Sequence, residues 1–521
     1  MAITETRPEA LAELGEPTPL STSPSTVFGS GDHTTLGRLY IGAALLFGIA
    51  GWVAQALVRA NVVADGDLFD VDAATTLFTL GNLGLVLLVV VPLLLGIATL
   101  VVPLQVGANT VAFPRAAAFA FWTWLLAGGV VIVANCLDGG FGGGRDAAVD
   151  LMLVAVIALA GALVLGTVCV LTTAIALRTP GLYLDRVPFT TWAFLTAGAI
   201  WVLTLPVLAA NALLIYVDRR YGLPSEFGLA DGQYLQVSWL VGQPQIYAFV
   251  APILGIACDI VVTLTGNRQQ NRGVLLGAIG AFAALGFGAW AQPYFYPTVS
   301  DDLLFAVVAV AIVLPLLAVL GGLALALRSG RPPASAAVGL GLVSLLLLLL
   351  GVVAGILYVI TWFELRLSGD FAAGQFAVVL GAGLTGAAAG LTYWAPKLIG
   401  RFANEGLAKL SVLAYLGGTA LAGIPLMVLG FSNRFDGLAD AADALNGIAV
   451  AGYALLAVAL LVTIGSLVTG RRSDIADDAW GKGQSLEWAT SSPPVPGNFG
   501  TLAIVRSAEP LLDAAEPSKE A

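Results

Sequence analysis

Apolar stretches, each of a length that crosses a bilayer, recur along almost the whole chain with short polar segments between them. Twelve can be drawn, at roughly 39–59, 75–103, 116–136, 150–177, 188–216, 236–265, 273–292, 303–327, 335–363, 372–394, 408–431 and 444–469, each near the ~20 apolar residues that a spanning helix needs. The pattern predicts an all-α polytopic membrane protein of about 12 transmembrane helices. Glycine is dense inside several stretches, above all in Gly381 to Gly390, and this suits close helix approach in lipid.

The loops add an orientation. Those on the side of the N-terminus carry about twice as many basic residues as the opposite loops, Arg178, Arg268, Arg328, Lys397 and Arg471 among them. The positive-inside rule then puts both termini in the cytoplasm, as an even number of crossings requires, and predicts a multi-pass protein of a bacterial or archaeal plasma membrane. Residues 1–35 are rich in Glu, Pro, Ser and Thr and lack a basic segment leading into an apolar one. They are expected to form a disordered polar tail rather than a signal peptide. Residues 36–470 would form the membrane domain, and residues 471–521, where the chain turns polar again, a cytoplasmic C-terminal tail.

Composition agrees with this class: of 521 residues 58% are hydrophobic and 11% charged, with mean hydropathy +0.91. The net charge of −10 argues against nucleic acid as a partner. Cys136, Cys169 and Cys258 show no C-x-x-C spacing and read as packed small hydrophobes. One histidine, His33, is present in the chain. That count limits metal chemistry severely, because imidazole is the usual axial ligand of haem and a common ligand of copper.

Candidate chemistry gathers in Trp239 to Asp259, where Gln243, Pro244, Gln245 and Tyr247 interrupt an apolar span. Gln243 and Tyr247 stand four apart and share a helix face. Polar groups at this depth either face an internal site or tie helices together. Asp259 is an intramembrane charge with Arg268 and Arg272 just beyond it, and a structural ion pair is its expected role, with a proton site as the alternative.

The same span resembles the sixth helix of subunit I of the haem-copper oxidases, W-x-x-G-H-P-E-V-Y followed by L-P-x-x-G-x-x-x-H. Here it reads Trp239, Gly242, Gln243, Pro244, Gln245, Ile246, Tyr247, then Ala251, Pro252, Gly255 and Asp259. Further likeness lies in Asp32-His33 with Gly37 to Tyr40, in Val102-Pro103-Leu104 with Ala112 to Arg115, in Leu205 to Ala210, and in the tail Leu486-Glu487-Trp488-Ala489-Thr490-Ser491-Ser492-Pro493-Pro494. The chain is therefore identified as a member of that superfamily, closest to the cytochrome c oxidase type. The resemblance implies the twelve-helix subunit I bundle, with haem and copper as the family's cofactors.

The ligands that the resemblance implies are missing. The haem histidine of the second helix falls on Gly81, and the H-F-H motif of the tenth falls within Gly374, Gln375, Phe376 and Ala377. The copper histidines fall on Gln243, Gln292 and Pro293, and the proton-delivering glutamate on Gln245. His33 matches a histidine outside the family's redox site. A glutamine amide is a poor substitute ligand for copper, so no haem, no metal and no catalytic residue is expected. Tyr247 is expected to hydrogen-bond a glutamine, with Gln243 in the place of its usual family partner. Without haem, the second and tenth helices are expected to approach each other across Gly81, Gly84 and the Gly381–Gly390 series, because an empty void forfeits packing energy.

The leading expectation is a redox-inactive structural or regulatory subunit of a respiratory or other membrane complex, partnered by other integral subunits, with subunit II- or III-like ones among the candidates. One alternative is an active terminal oxidase passing electrons from cytochrome c to O2. Another is a transporter or a quinone- or lipid-binding protein that uses a polar pocket of Gln243, Gln245, Tyr247 and Gln292.

Overall fold

A computed structural model describes residues 30–140, 144–222, 245–291, 302–360, 365, 368–435, 437–471, 475–500, 502 and 504–515. Twelve helical spans follow one another: α1 (His33–Val63), α2 (Val71–Gly84, a π-helical turn Leu85–Val90 and Val91–Val106), α3 (Pro114–Cys136), α4 (Asp146–Ala176), α5 (Phe189–Tyr221) and α6 (Tyr247–Val250 and Pro252–Thr265). Then come α7 (Arg272–Ala291), α8 (Asp302–Ala311 and Val313–Ser329), α9 (Ala336–Val359), α10 (Gly369–Tyr393), α11 (Glu405–Leu429) and α12 (Ala442–Val468). No strand occurs among the described residues. Each of the twelve predicted stretches contains a helix among the described residues, eleven of them long and apolar enough to cross a membrane, and α1 opens at His33, three residues before the expected start of the membrane domain.

Local chemistry sets the ends. Asp32, Asp70, Ser335, Ser368 and Asn404 accept backbone N–H groups in the first turns of α1, α2, α9, α10 and α11, satisfying donors that a helix start leaves free. In α2 the π-helical turn directly precedes Pro92, whose ring removes a backbone donor and disfavours regular winding of the turn before it.

Burial divides the helices into two groups. The most apolar windows of α2, α6 and α10 are wholly buried, and the remaining spans surround them and expose apolar side chains such as Leu126, Leu203, Leu314 and Leu413 on the outside. A helix buried on every side must be apolar on every side, as α2 is. These three central helices carry Gly81, Tyr247 and the Gly374–Ala377 stretch, and Gln245 lies just before α6.

Glycine packing differs from the expected α2–α10 approach. A Cβ at Gly81 would lie 2.9 Å from Gln55 Nε2 of α1, and Gly84 faces only its own helix, at 3.9 Å from Leu88. On α10, a Cβ at Gly383 would stand 2.7 Å from Val250 of α6 and 3.5 Å from Val90 of α2. Gly374 meets α11, where a Cβ would lie 2.6 Å from the Gly423 carbonyl oxygen and 2.8 Å from the Met427 nitrogen. The glycines of α10 thus draw α6 and α11 inward more than α2. The physical reason is facing: Gly81 points at α1, where Gln55 already fills the space.

The polar segment after α12 is built into the bundle. Asn498 Nδ2 donates to the carbonyl of Ala108 at 2.8 Å, and its amide contacts the His33 ring at 2.8 to 3.0 Å. The C-terminal segment and the start of α1 therefore share one end of the bundle, as twelve crossings require.

Gly374→Ala is expected to force α10 and α11 apart and to destabilise the fold by about 1–3 kcal/mol. Gly129→Ala on α3, where a Cβ would meet nothing within 4 Å, should leave the melting temperature unchanged or slightly raised. Thermal unfolding of the two variants in detergent checks the contrast.

Candidate functional site

Two buried polar groupings follow from this packing. The first lies in the bundle centre. Tyr247 OH donates to the Gly351 carbonyl at 3.0 Å, and Gln375 Nε2 donates to Tyr247 OH at 2.9 Å and to the same carbonyl at 3.0 Å. The tyrosine is bonded to a glutamine as expected, and among the described residues that glutamine is Gln375 of α10. Gly355 on α9 makes this arrangement fit, since a Cβ there would strike Tyr247 OH. Gln375 Oε1 is buried and unpartnered, and Gln245, also buried, has neither side-chain atom bonded among the described residues. Gln243, Pro244, Gln292 and Pro293 lie outside the described residues, so of the four-residue polar pocket only Gln245 and Tyr247 are placed.

At the second-helix ligand position, Gln55 occupies the space against Gly81 and its Nε2 donates to Asn82 Oδ1 at 2.7 Å. Next to it Gln55, Asn82, Trp52, Phe376, Ala377 and Tyr453 line a cavity of about 30 Å³, room for about one water. His33 is buried at the end of α1 and contacts Asn498 of the C-terminal segment. These residues do not fit a haem: Gly81, Gly374 and Ala377 offer no donor, Phe376 lines the cavity, and Gln375 is engaged with Tyr247. Among the described residues no group of three or more metal-binding side chains occurs.

The second grouping lies at the end of the bundle where the C-terminal segment docks. Asp259 Oδ1 accepts the backbone N–H of Phe189 at 2.9 Å, and Oδ2 accepts that of Thr190 at 2.9 Å and Gln105 Nε2 at 3.0 Å. Among the described residues no contact-distance ion pair of the expected kind joins Asp259 to either arginine, although the Arg272 guanidinium lies near enough to act on the Asp259 charge. Arg268 reaches Glu509 at 3.5 Å and Asp513 at 2.6 Å, while Arg272 donates to the carbonyls of Asp185 and Val187 and lies over the Phe189 ring. Asp259 instead caps α5 from a neighbouring helix, where free N–H groups and the positive end of the helix dipole favour a carboxylate. Gly255, one turn earlier on the same face, permits the approach, since a Cβ there would strike the Phe189 carbonyl and the Ala193 side chain.

Gln105 ties this cap to the C-terminal segment. Its Nε2 also donates to Glu487 Oε1 at 3.2 Å, and its Oε1 accepts from Thr191 Oγ1 at 2.7 Å. Glu487 lies on a 3₁₀ turn, Leu486–Ala489, beside Trp488, whose Nε1 donates to Tyr393 OH at 3.1 Å. Lys397 donates to the carbonyls of Asp477, Thr490 and Ser491 and stands 5.2 Å from the Trp488 ring centre. Burial, with the Asp259 charge adding to it, pushes the Glu487 carboxyl up to about 7, and burial pulls the Lys397 amine down to about 8. Gln55, Gln105 and Glu487 were not singled out by sequence reasoning. The available signal was Glu487 set between Leu486 and Trp488 in an otherwise polar tail.

Comparison with known proteins decides the family. The family described as "Cytochrome C and Quinol oxidase polypeptide I" matches residues 35–468. The chain belongs to that family. Cytochrome c oxidase subunit 1 of Corynebacterium efficiens is 30% identical over 526 residues, covering 93% of this chain and 88% of that protein. Quinol oxidase subunit 1 of Bacillus subtilis is 26% identical over 520 residues, covering 94% and 80%. One chain of a solved heme-copper terminal oxidase dimer superposes with TM-score 0.69 over 84% of this chain and 83% of its own, at 16% identity, a likeness of fold. This polypeptide I chain is thus a multi-pass, subunit I-like membrane protein.

Asp259→Ala leaves the N–H groups of Phe189 and Thr190 without their acceptor, at about 1–3 kcal/mol per unsatisfied group, while the Gln105 amide keeps Glu487. Asp259→Asn keeps one acceptor and is expected to cost less. Melting temperatures in the order wild type, Asn, Ala, in falling sequence, would bear this out, and equal values for Asn and Ala would refute the capping role.

Proposed function

We propose that this polypeptide I chain is a redox-inactive subunit, free of haem and copper, that serves a structural or regulatory role in a respiratory or other membrane complex. The observation that carries the reading is the fate of the single histidine: His33 is buried at the end of α1 against Asn498, away from Gly81 and the Gly374–Ala377 stretch. Gln55 against Gly81 and the one-water cavity beside it support the reading, because they use the space in which a haem ligand would project. Its partners would be other integral subunits of the kind that accompany subunit I, in the plasma membrane of a bacterium or archaeon.

A second reading rests on Gln245. A buried amide with neither atom bonded is costly, and a neutral ligand such as a quinone or a lipid carbonyl would relieve it. Native mass spectrometry of the purified protein distinguishes the two: a retained quinone or lipid that Gln245→Leu abolishes favours this second role.

Purified from a host that synthesises haem and supplied with copper, the protein should give no pyridine haemochrome spectrum and no stoichiometric copper by elemental analysis. A haem bound one to one that survives purification would overturn the proposal.

A further inference from the structure

Asp259 and Glu487 share one donor, and the two carboxyls are not equally provided for. Asp259 receives two backbone N–H groups at the start of α5 in addition to Gln105. Glu487 is fully buried and holds the Gln105 amide through Oε1, with its own backbone N–H and the Ser485 hydroxyl beside the carboxyl, while Oε2 reaches no partner at hydrogen-bonding geometry. As a carboxylate, Glu487 would place a second negative charge next to Asp259 with one oxygen bare. As a carboxylic acid it buries no charge and still accepts from Gln105 through Oε1. Two like-charged groups held this way favour one shared proton, and the better-solvated member keeps its charge.

We propose that Asp259, Gln105 and Glu487 form a proton-binding site in which Glu487 carries the proton, and that release of this proton to solvent loosens the C-terminal segment from the bundle. The site joins α2, α6 and the C-terminal segment, and the segment is also held by Lys397, by Asn498 against His33 and Ala108, by Trp488 against Tyr393, and by the pairs of Arg268 with Glu509 and Asp513 and of Arg272 with Glu509. The groups facing Glu487 or its partner are Asp259 from α6, Tyr393 from α10, Lys397 from the short helix Ala395–Ile399, Arg272 from α7 and Thr190 and Thr191 from α5. The Asp259 member stands where the superfamily pattern has a histidine, so the carboxyl pair is a feature of this chain.

The direction follows from linkage. Glu487 titrates at about 7 when docked against an ordinary 4.5, so between those values the docked state binds a proton that the released state has lost. Docking is therefore strongest below the lower value and weakens as pH rises, by about tenfold per pH unit, up to about 7. Lys397 acts in the opposite sense and above this window, strengthening docking from about 8 toward its ordinary 10.5.

The test is hydrogen exchange of the full-length protein in detergent, followed at the Leu486–Ala489 turn and corrected for the intrinsic pH dependence of exchange. Protection should fall about tenfold per pH unit from about pH 5 to about pH 7 in the wild type and stay flat in Glu487→Gln. An equal slope in both proteins would overturn the proposal. Should Glu487→Gln fail to fold, infrared titration of the wild type decides: a buried carboxylic-acid carbonyl band must be present at pH 6 and lost by about pH 8. The absence of any carboxyl titrating in that range would overturn it equally.

Discussion

A carboxylate held at the start of a neighbouring helix sets the geometry at one end of this protein. Asp259 projects from α6 and takes the first two N–H groups of α5, which can come close because Gly255 carries no side chain. An uncompensated charge inside a membrane bundle is strongly unfavourable, and here three donors and a helix dipole compensate it. Gln105 of α2 then passes the connection from Asp259 to Glu487, so the C-terminal segment is tied to the same cap that orders α5 against α6. One end of the bundle depends on that chain of contacts.

The bundle centre follows a related logic with neutral groups. The wholly buried windows belong to α2, α6 and α10, the helices that carry the positions to which the resemblance assigns the superfamily's ligands. At those positions this chain supplies Gly81 with Gln55 packed against it, Gln375 bonded to Tyr247, and Gly374 pressed on the α11 backbone. Amide and phenol groups tie α6, α9 and α10 together through the Gly351 carbonyl. We infer that side chains here do the cohesive work that macrocycles do in haem-bearing members of the fold.

The fold was legible in the sequence because the signal is physical and local: a lipid bilayer demands about 20 apolar residues per crossing, and twelve such stretches are present. The family was legible from motif order. Asp259 was legible as an anomaly, since a charge in an apolar span stands out, but its partners were not. Nearby arginines in the sequence suggested an ion pair, whereas its hydrogen-bond donors include backbone groups of α5, some 70 residues away in the chain. Backbone donors have no sequence signature. Gln375 as a partner of Tyr247 was not legible for a similar reason: the two are 128 residues apart, and Gln375 is brought in by α10 where Gly355 of α9 leaves room for the tyrosine hydroxyl. Glu487 sat inside a motif read as family likeness, and its burial became visible once the tail was seen against the bundle.

The central claim is that polar and packing contacts alone hold this subunit I fold together. Production in a host unable to make haem, compared with the same host supplied with haem, tests it most directly. The account predicts equal yield of monodisperse protein and equal melting temperature in both cases. A protein that accumulates or stays folded only when haem is supplied would contradict it.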